Sequence, residues 1–212
     1  MDISALRREY RDANLDEEDV EAHPVDQFKI WFDEALDAES RDPSGMTLST
    51  SDAAGRPSAR IVLLKKFDRD GFVFFTNYES RKARDLEENP WAALTFWWNE
   101  IDRQVRVEGR VRRTPRAVSV EYFVGRPRDS QIGAVASAQS SRLADRDALI
   151  DRVDVVRERF ADRDVPCPKN WGGYLLEPNA FEFWQGRQSR LHDRIAYRMD
   201  ERGGWKIERL AP

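Results

Sequence analysis

The sequence predicts an α+β fold built around an antiparallel barrel. Two observations carry that prediction. Six or more short segments show the period of two expected of strands and are joined by short turns, and the helical segments are inserted mostly late in the chain. At 212 residues, 40% hydrophobic and 11% aromatic, the chain suffices for one domain with a substantial core. No repeat period or low-complexity tract interrupts it.

Residues 1–22 are rich in charge and poor in large apolar side chains, which predicts a mobile N-terminal arm ahead of a domain spanning 23–212. Val25, Phe28, Trp31, Phe32, Ala35 and Leu36 recur at helical spacing, giving an amphipathic helix that ends before Asp42-Pro43. Three strands follow, Met46 to Thr50, Ser58 to Lys66 and Phe72 to Asn77, and their short links predict an antiparallel meander. Ser80 stands where its side chain can cap a helix running from Arg81 to Asn89-Pro90. Ala92 to Trp98 and Gln104 to Arg113 resume strand character, the second through alternating Val105, Val107 and Val111. Thr114-Pro115 opens a helix with proline at its first position, and helical character returns around Arg126 to Gly133 and from Asp145 to Ala161. Strands at Gly173 to Glu177, Phe181 to Trp184, Arg194 to Arg198 and Trp205 to Arg209 complete the pattern, with Gly203-Gly204 as a hairpin turn.

Composition narrows the functional classes. Charged residues make up 35% of the chain but the net charge is only -4, so no nucleic-acid partner is indicated. The single cysteine, Cys167, has no partner for an internal disulfide and no metal-ligand cluster beside it, which fits a reducing, cytoplasmic setting. No stretch approaches the ~18 apolar residues of a membrane span, and the segment from Met1 to Tyr10 lacks an apolar signal core, so a soluble protein without membrane contact is expected. With only His23 and His192, a multi-histidine metal site is excluded, and no metal is expected. There is no Gly-x-Ser-x-Gly elbow, Walker loop or Gly-x-Gly-x-x-Gly turn.

Four places combine residues that carry chemistry. On the strand Arg60 to Lys65, alternation puts Arg60 on one face and Lys65 on the other, either as two solvated strand ends or as two separate anion sites. Phe75-Thr76-Asn77 leads into Ser80-Arg81-Lys82, where a helix N-terminus, a hydroxyl and two cations suit a phosphate; a plain cap with solvated cations is the alternative. Tyr122, Arg126, Arg128 and Ser130 are spaced to form a second phosphate clamp around Gly125, or an ordinary helix junction with an Arg128–Asp129 pair. Phe183 to Gly186 and Arg190 to Arg194 gather an indole, an imidazole and guanidiniums, a set that can grip a flat anionic heteroaromatic ring.

Eight segments lie in the order and approximate spacing of one family. They are Arg60 to Lys65, Ser80 to Ala83, Arg103 to Val105, Arg126 to Gly133, Gln139 to Ser141, Phe183 to Gly186, Arg190 to Arg194 and Trp205 to Pro212. Over nearly its whole length the chain resembles the pyridoxamine/pyridoxine 5′-phosphate oxidases. The resemblance implies an antiparallel split β-barrel with peripheral helices that binds FMN, and a homodimer with its sites at the subunit interface. It implies oxidation of pyridoxamine or pyridoxine 5′-phosphate to pyridoxal 5′-phosphate, by hydride transfer from C4′ to flavin N5, with oxygen reduced to hydrogen peroxide.

On that pattern FMN is held by Arg60, Ile61, Val62, Leu63, Leu64, Lys65, Phe75, Thr76, Arg81, Lys82, Gln104, Gln139, Ser140, Trp184 and Arg194. The substrate phosphate falls to Lys65, Tyr122, Arg126 and Ser130, while Arg190, Leu191 and His192 lie over its ring. Arg190 and His192 are the implied catalytic pair, with His192 either relaying a proton or orienting Arg190. Arg7, Arg8, Glu9 and Tyr10 are implied to close over the substrate as a lid. Two positions depart from the pattern: Phe75 stands where many relatives have tyrosine, and Val135 where tryptophan is common. A split-barrel reductase using flavin or a deazaflavin, and a carrier that binds flavin or a B6 phosphate without turnover, are the competing readings.

Overall fold

The computed structural model describes residues 1, 10, 13–38 and 40–212. Helix α1 (Pro24–Asp37) starts with proline in its first turn and with His23 Nδ1 accepting from Val25 N at 3.2 Å. It buries Val25, Phe28, Trp31 and Ala35 of the residues whose spacing predicted it, while Phe32 is half-buried and Leu36 is exposed. Nine strands then form one antiparallel sheet: β1 (Gly45–Ser51), β2 (Pro57–Leu63), β3 (Lys66–Asp68), β4 (Gly71–Asn77), β5 (Trp91–Trp98), β6 (Arg103–Arg113), β7 (Trp171–Gln185), β8 (Asp193–Met199) and β9 (Trp205–Arg209). Helix α2 (Arg81–Glu88) follows β4, and α3 (Arg116–Val124), α4 (Arg128–Ala136) and α5 (Asp147–Arg159) lie between β6 and β7.

The sheet runs β2-β1-β5-β6-β7-β4-β3, with β8 added to β7 and β9 to β8. The expected meander of the first three strands is therefore corrected. β1 and β2 form a hairpin at one end of the order, and β3 and β4 form another at the far end. The chain changes partners within two residues: Leu64 N donates to Ser44 O at 2.8 Å, whereas Lys65 N donates to Val73 O at 2.9 Å. That handover joins the two ends of the strand order and curls the sheet into a barrel.

Two predicted strands, 173–177 and 181–184, are one strand of 15 residues. Pro178 does not break it because it sits at a register shift opposite Glu108 and Gly109, where the ladder is already interrupted. A Cβ on Gly109 would stand 2.0 Å from Glu177 O, so only glycine allows the two backbones this close. The N-terminal half of β7 pairs with β4 and its C-terminal half with β8, while β6 flanks both. Pro115 also differs from expectation, occupying the cap position of α3 rather than its first helical turn.

The inner face of the barrel carries Leu48, Leu94, Phe96, Val105, Val107, Phe181, Phe183 and Tyr197, all buried. Phe28 of α1 plugs this core, meeting Phe67, Phe72 and Phe96 edge-on at 4.9 to 5.0 Å. A second cluster of Phe123, Ile132, Phe160, Val165 and Trp171 seats α3 to α5, and Val135 packs against it. Residues 13–22, read from sequence as part of an arm, lie along the C-terminal strands: Leu15 is buried in the main core, and Tyr197 Oη donates to Glu21 O at 2.8 Å. No helix among the described residues is long and apolar enough to cross a membrane.

Candidate active site

Lys82 sits in the first turn of α2 yet is buried. Its Nζ donates to Gln139 Oε1 at 3.0 Å, Thr76 Oγ1 at 3.2 Å and Ser80 Oγ at 3.4 Å, and none of these acceptors is a carboxylate. Burial, with a contribution from the Arg60 charge, pushes its pKa down to about 8. Ser80 occupies the cap position but makes no side-chain cap bond, accepting from Lys82 instead.

Arg60 shares the inner side of β2 with its cross-strand partner Leu48, because directly paired residues point the same way. Its Nη1 donates to Leu48 O at 3.0 Å and Thr50 Oγ1 at 2.8 Å, Nη2 donates to Ser58 Oγ, and Asp85 lies 3.7 Å away. Arg81 N donates to Ser140 Oγ at 3.2 Å, and Ser140 is held at φ 70°. Arg60, Thr76, Arg81, Lys82, Gln139 and Ser140 thus converge, with more positive charge than Asp85 offsets. A phosphate is the kind of group such a place accommodates.

The Phe75 ring stacks on Tyr122 at 3.9 Å and 13°, and Trp171 continues the stack at 5.5 Å from Phe75. The contact Phe75 makes here is through its ring face, which a tyrosine ring would also offer. The Arg126 guanidinium lies 4.8 Å from the Trp171 ring centre, and its Nη1 is buried without a hydrogen-bond partner among the described residues. Burial holds the Arg126 pKa below its ordinary value. An orphaned guanidinium N–H is costly unless an anion completes it.

The four residues expected at the substrate phosphate divide between two cavities that share the aromatic stack as a wall. Lys65 and Tyr122 line one of about 820 Å³ together with Phe75, while Arg126 and Ser130 line one of about 290 Å³ with Gln139 and Trp171. Arg128, grouped with them from sequence, turns away and donates to Phe160 O and Arg163 O. Asp129 pairs with Arg157 at 3.7 Å rather than with Arg128. Trp171 was not singled out from sequence; the signal was Trp171-Gly172-Gly173, where a Cβ on Gly172 would meet Tyr78 Oη at 2.2 Å.

On the outer face of the sheet, Trp97, Gln104, Trp184 and Arg194 form one row across β5 to β8. Trp97 and Trp184 are 5.8 Å apart, and Arg194 is tied to Glu182 at 3.0 Å. His192 lies 4.5 Å from Trp184, and Tyr10 meets both rings edge-on, at 5.6 Å from Trp184 and 5.0 Å from His192. Arg187 N donates to His192 Nδ1 at 3.0 Å, which leaves the proton of the neutral ring on Nε2. Burial first, then the Arg190 charge, lowers the His192 pKa. Ser189 and Arg190 are consecutive left-handed residues at φ 56° and 61°, a local strain that projects Arg190 and Leu191 into solvent.

The two regions occupy opposite ends of β7. Trp171 to Trp184 is roughly 40 Å of strand contour. Ile61, Leu63 and Lys65 are exposed on the edge strand β2 and its extension, Val62 is partly buried and Leu64 is buried. Arg7, Arg8 and Glu9 lie outside the described residues. Among the described residues no group of three or more histidine, cysteine, aspartate or glutamate side chains could hold a metal ion.

A family model described as pyridoxamine 5′-phosphate oxidase matches residues 32–160, and one described as the pyridoxine 5′-phosphate oxidase C-terminal dimerisation region matches 171–212. A pyridoxine/pyridoxamine 5′-phosphate oxidase of Acaryochloris marina is 50% identical over 99% of this chain and 95% of its own. One from Cupriavidus necator is 54% identical over 99% of both chains. The crystal structure of PhzG from Burkholderia lata 383, in complex with tetrahydrophenazine-1-carboxylic acid, superposes with a TM-score of 0.89 at 31% identity, covering 95% of this chain and 98% of that one.

Proposed function

The chain belongs to the pyridoxamine 5′-phosphate oxidase family, and from that premise we propose that it oxidises pyridoxamine or pyridoxine 5′-phosphate to pyridoxal 5′-phosphate using FMN and molecular oxygen. One observation carries the reading: Lys82 and Arg126 are cations drawn into the protein and left without carboxylate partners among the described residues, so each suits one phosphate. FMN would be held at its phosphate by Arg60, Thr76, Arg81, Lys82, Gln139 and Ser140, and along its ring by the open edge of β2 from Ile61 to Leu64. Bound there, FMN would supply the hydride acceptor for the substrate C4′, and its reoxidation by oxygen with uptake of one proton would release hydrogen peroxide.

The protein binds, orients and excludes water. Arg126 and Ser130 would fix the substrate phosphate from the smaller cavity, Tyr122 and Lys65 would face it from the larger one, and Arg190 and Leu191 would cover its ring. His192, carrying its proton on Nε2, orients the substrate as a hydrogen-bond donor. Tyr10 closes over His192 and Trp184.

Because roughly 40 Å of β7 separates the Arg126 region from Trp184, one chain cannot bring both to one small molecule. A homodimer resolves this. The exposed Ile61, Leu63 and Trp97 offer an apolar surface near the cofactor residues, and 171–212 match a dimerisation region. The outer row Gln104, Trp184 and Arg194 then faces the partner's β2 edge. Flavin absorbance in the purified protein, with peroxide and pyridoxal 5′-phosphate formed on adding pyridoxamine 5′-phosphate, tests the proposal. A protein that stays colourless when FMN is supplied would overturn it.

A further inference from the structure

A single guanidinium outside the residues assigned above holds two parts of the site together. Arg209, at the end of β9, donates from Nε to Glu17 Oε1 at 2.9 Å, and from Nη2 to Glu17 Oε2 at 2.6 Å, Asp16 Oδ1 at 2.9 Å and Leu15 O at 3.0 Å. Its Nη1 donates to Asp193 Oδ1 at 2.8 Å. The other oxygen of Asp193 accepts from Leu15 N and from Arg187 Nη1, both at 3.2 Å. Arg187 Nη1 also reaches Asn14 Oδ1 at 2.5 Å, and Arg187 N is the donor to His192 Nδ1.

Tyr10 lies a few residues before this knot, seated against Gly186, where a Cβ would meet Tyr10 Cδ1 at 2.4 Å. An isolated exposed ion pair contributes little. Arg209 is different in kind because its fork engages both sides at once, the 15–17 segment through Nε and Nη2 and the 187–193 loop through Nη1. A lysine point charge cannot span both.

We propose that Arg209 is a positioning residue: it latches the segment leading to Tyr10 onto the loop that presents His192, and so sets the two rings that cover the substrate. The proposal rests on the function given above. With substrate in place, the latch holds Tyr10 against His192 and keeps the Arg187 amide on Nδ1.

The test uses the FMN-loaded full chain, wild type against Arg209→Met, Arg209→Lys and the pair Asp16→Asn/Glu17→Gln. Steady-state kinetics with pyridoxamine 5′-phosphate are read beside hydrogen exchange at the Arg187 and Leu15 amides. Arg209→Met is expected to raise KM about tenfold with kcat changed much less and FMN content unaltered, and to speed exchange at both amides about tenfold. Arg209→Lys stays near Arg209→Met, since charge without the fork does not rescue. In a Tyr10→Ala background, Arg209→Met adds less than about twofold, because both act through the same contact.

Unchanged amide exchange in Arg209→Met, an unchanged KM, or losses that multiply with Tyr10→Ala would each overturn the latch. Should Arg209→Met fail to fold, the exposed Asp16→Asn/Glu17→Gln pair decides on the same two readouts. If the wild type oxidises no B6 phosphate, the functional reading fails, while amide exchange still decides whether Arg209 holds the loop.

Discussion

Lys82 Nζ and Gln139 Oε1, 57 positions apart in sequence, lie 3.0 Å from each other with no carboxylate between them. A buried ammonium whose pKa is lowered to about 8 is costly to keep charged, and a dianion beside it reverses that cost. Binding of FMN should therefore draw a proton onto Lys82 wherever the free site is deprotonated, which is above about pH 8. The dissociation constant is expected to be flat from pH 7 to 8 and then to rise by up to about tenfold per pH unit. Lys82→Met should weaken FMN by about 10- to 100-fold and abolish that slope. Flavin fluorescence titration from pH 7 to 10 measures both.

Arg126 shows the complementary pattern, a guanidinium stacked near Trp171 with a buried N–H that no group among the described residues accepts. Replacing it by methionine removes an unpaired charge from an aromatic surround, so Arg126→Met should leave the melting temperature of the ligand-free protein equal or higher. On the proposed function the same change would also remove a charge-assisted bond to substrate phosphate, and KM should rise about 10- to 100-fold. Thermal melts with and without pyridoxal 5′-phosphate check the pairing. A lower ligand-free melting temperature would mean that Arg126 is structural.

For His192 the direction of the shift sets the pH window. Burial and Arg190 lower its pKa below the ordinary 6.5, so the neutral ring is present above 6.5 and is lost as pH falls through the lowered value. kcat/KM should be flat above 6.5 with respect to this group and decline on the acid side, where a proton on Nδ1 displaces the Arg187 amide that holds the ring. His192→Gln keeps a side-chain N–H donor and does not titrate. It should retain more activity than His192→Ala and lose that acid limb. A pH profile from 5 to 8 settles the matter.

Much of this was legible in the sequence, and the limits have physical causes. Alternation along 60–65 separates Arg60 from Lys65, and the structure puts Arg60 on the inner side and leaves Lys65 exposed. The spacing of Phe28 and Trp31 gives the buried face of α1 directly. Local pattern could not show that Leu64 and Lys65 bond to different strands, because that depends on where the sheet closes. Nor could it join the halves of β7, since a proline normally ends a ladder unless its neighbour carries a bulge. Trp171, Arg187 and Asp193 also depend on partners far away in the chain, Phe75, Asn14 and Leu15.

Gly109 provides a stability test away from the site. A methyl group there collides with Glu177 backbone, which cannot rotate aside as a side chain would. Gly109→Ala should destabilise the protein by about 2–3 kcal/mol, in the range of overpacked cores. Denaturant unfolding measures the change, and a loss under about 0.5 kcal/mol would mean that the register shift relaxes freely.

The separation of Arg126 from Arg190 and His192 along β7 makes the strongest claim, that each site draws on two chains. Consider Arg126→Met and Arg190→Ala, assayed at substrate well below the raised KM, where each is expected to be nearly inactive alone. In a heterodimer one site would combine both lesions, while the other would pair an intact Arg126 with an intact Arg190. Equal mixing of dissociated chains gives about half heterodimers with one working site in two, so about a quarter of wild-type activity should return. If Arg126 and Arg190 served the same site from one chain, every site would carry one lesion and no activity would return. Refolding the two variants together and apart, with FMN content matched, distinguishes the outcomes through peroxide release.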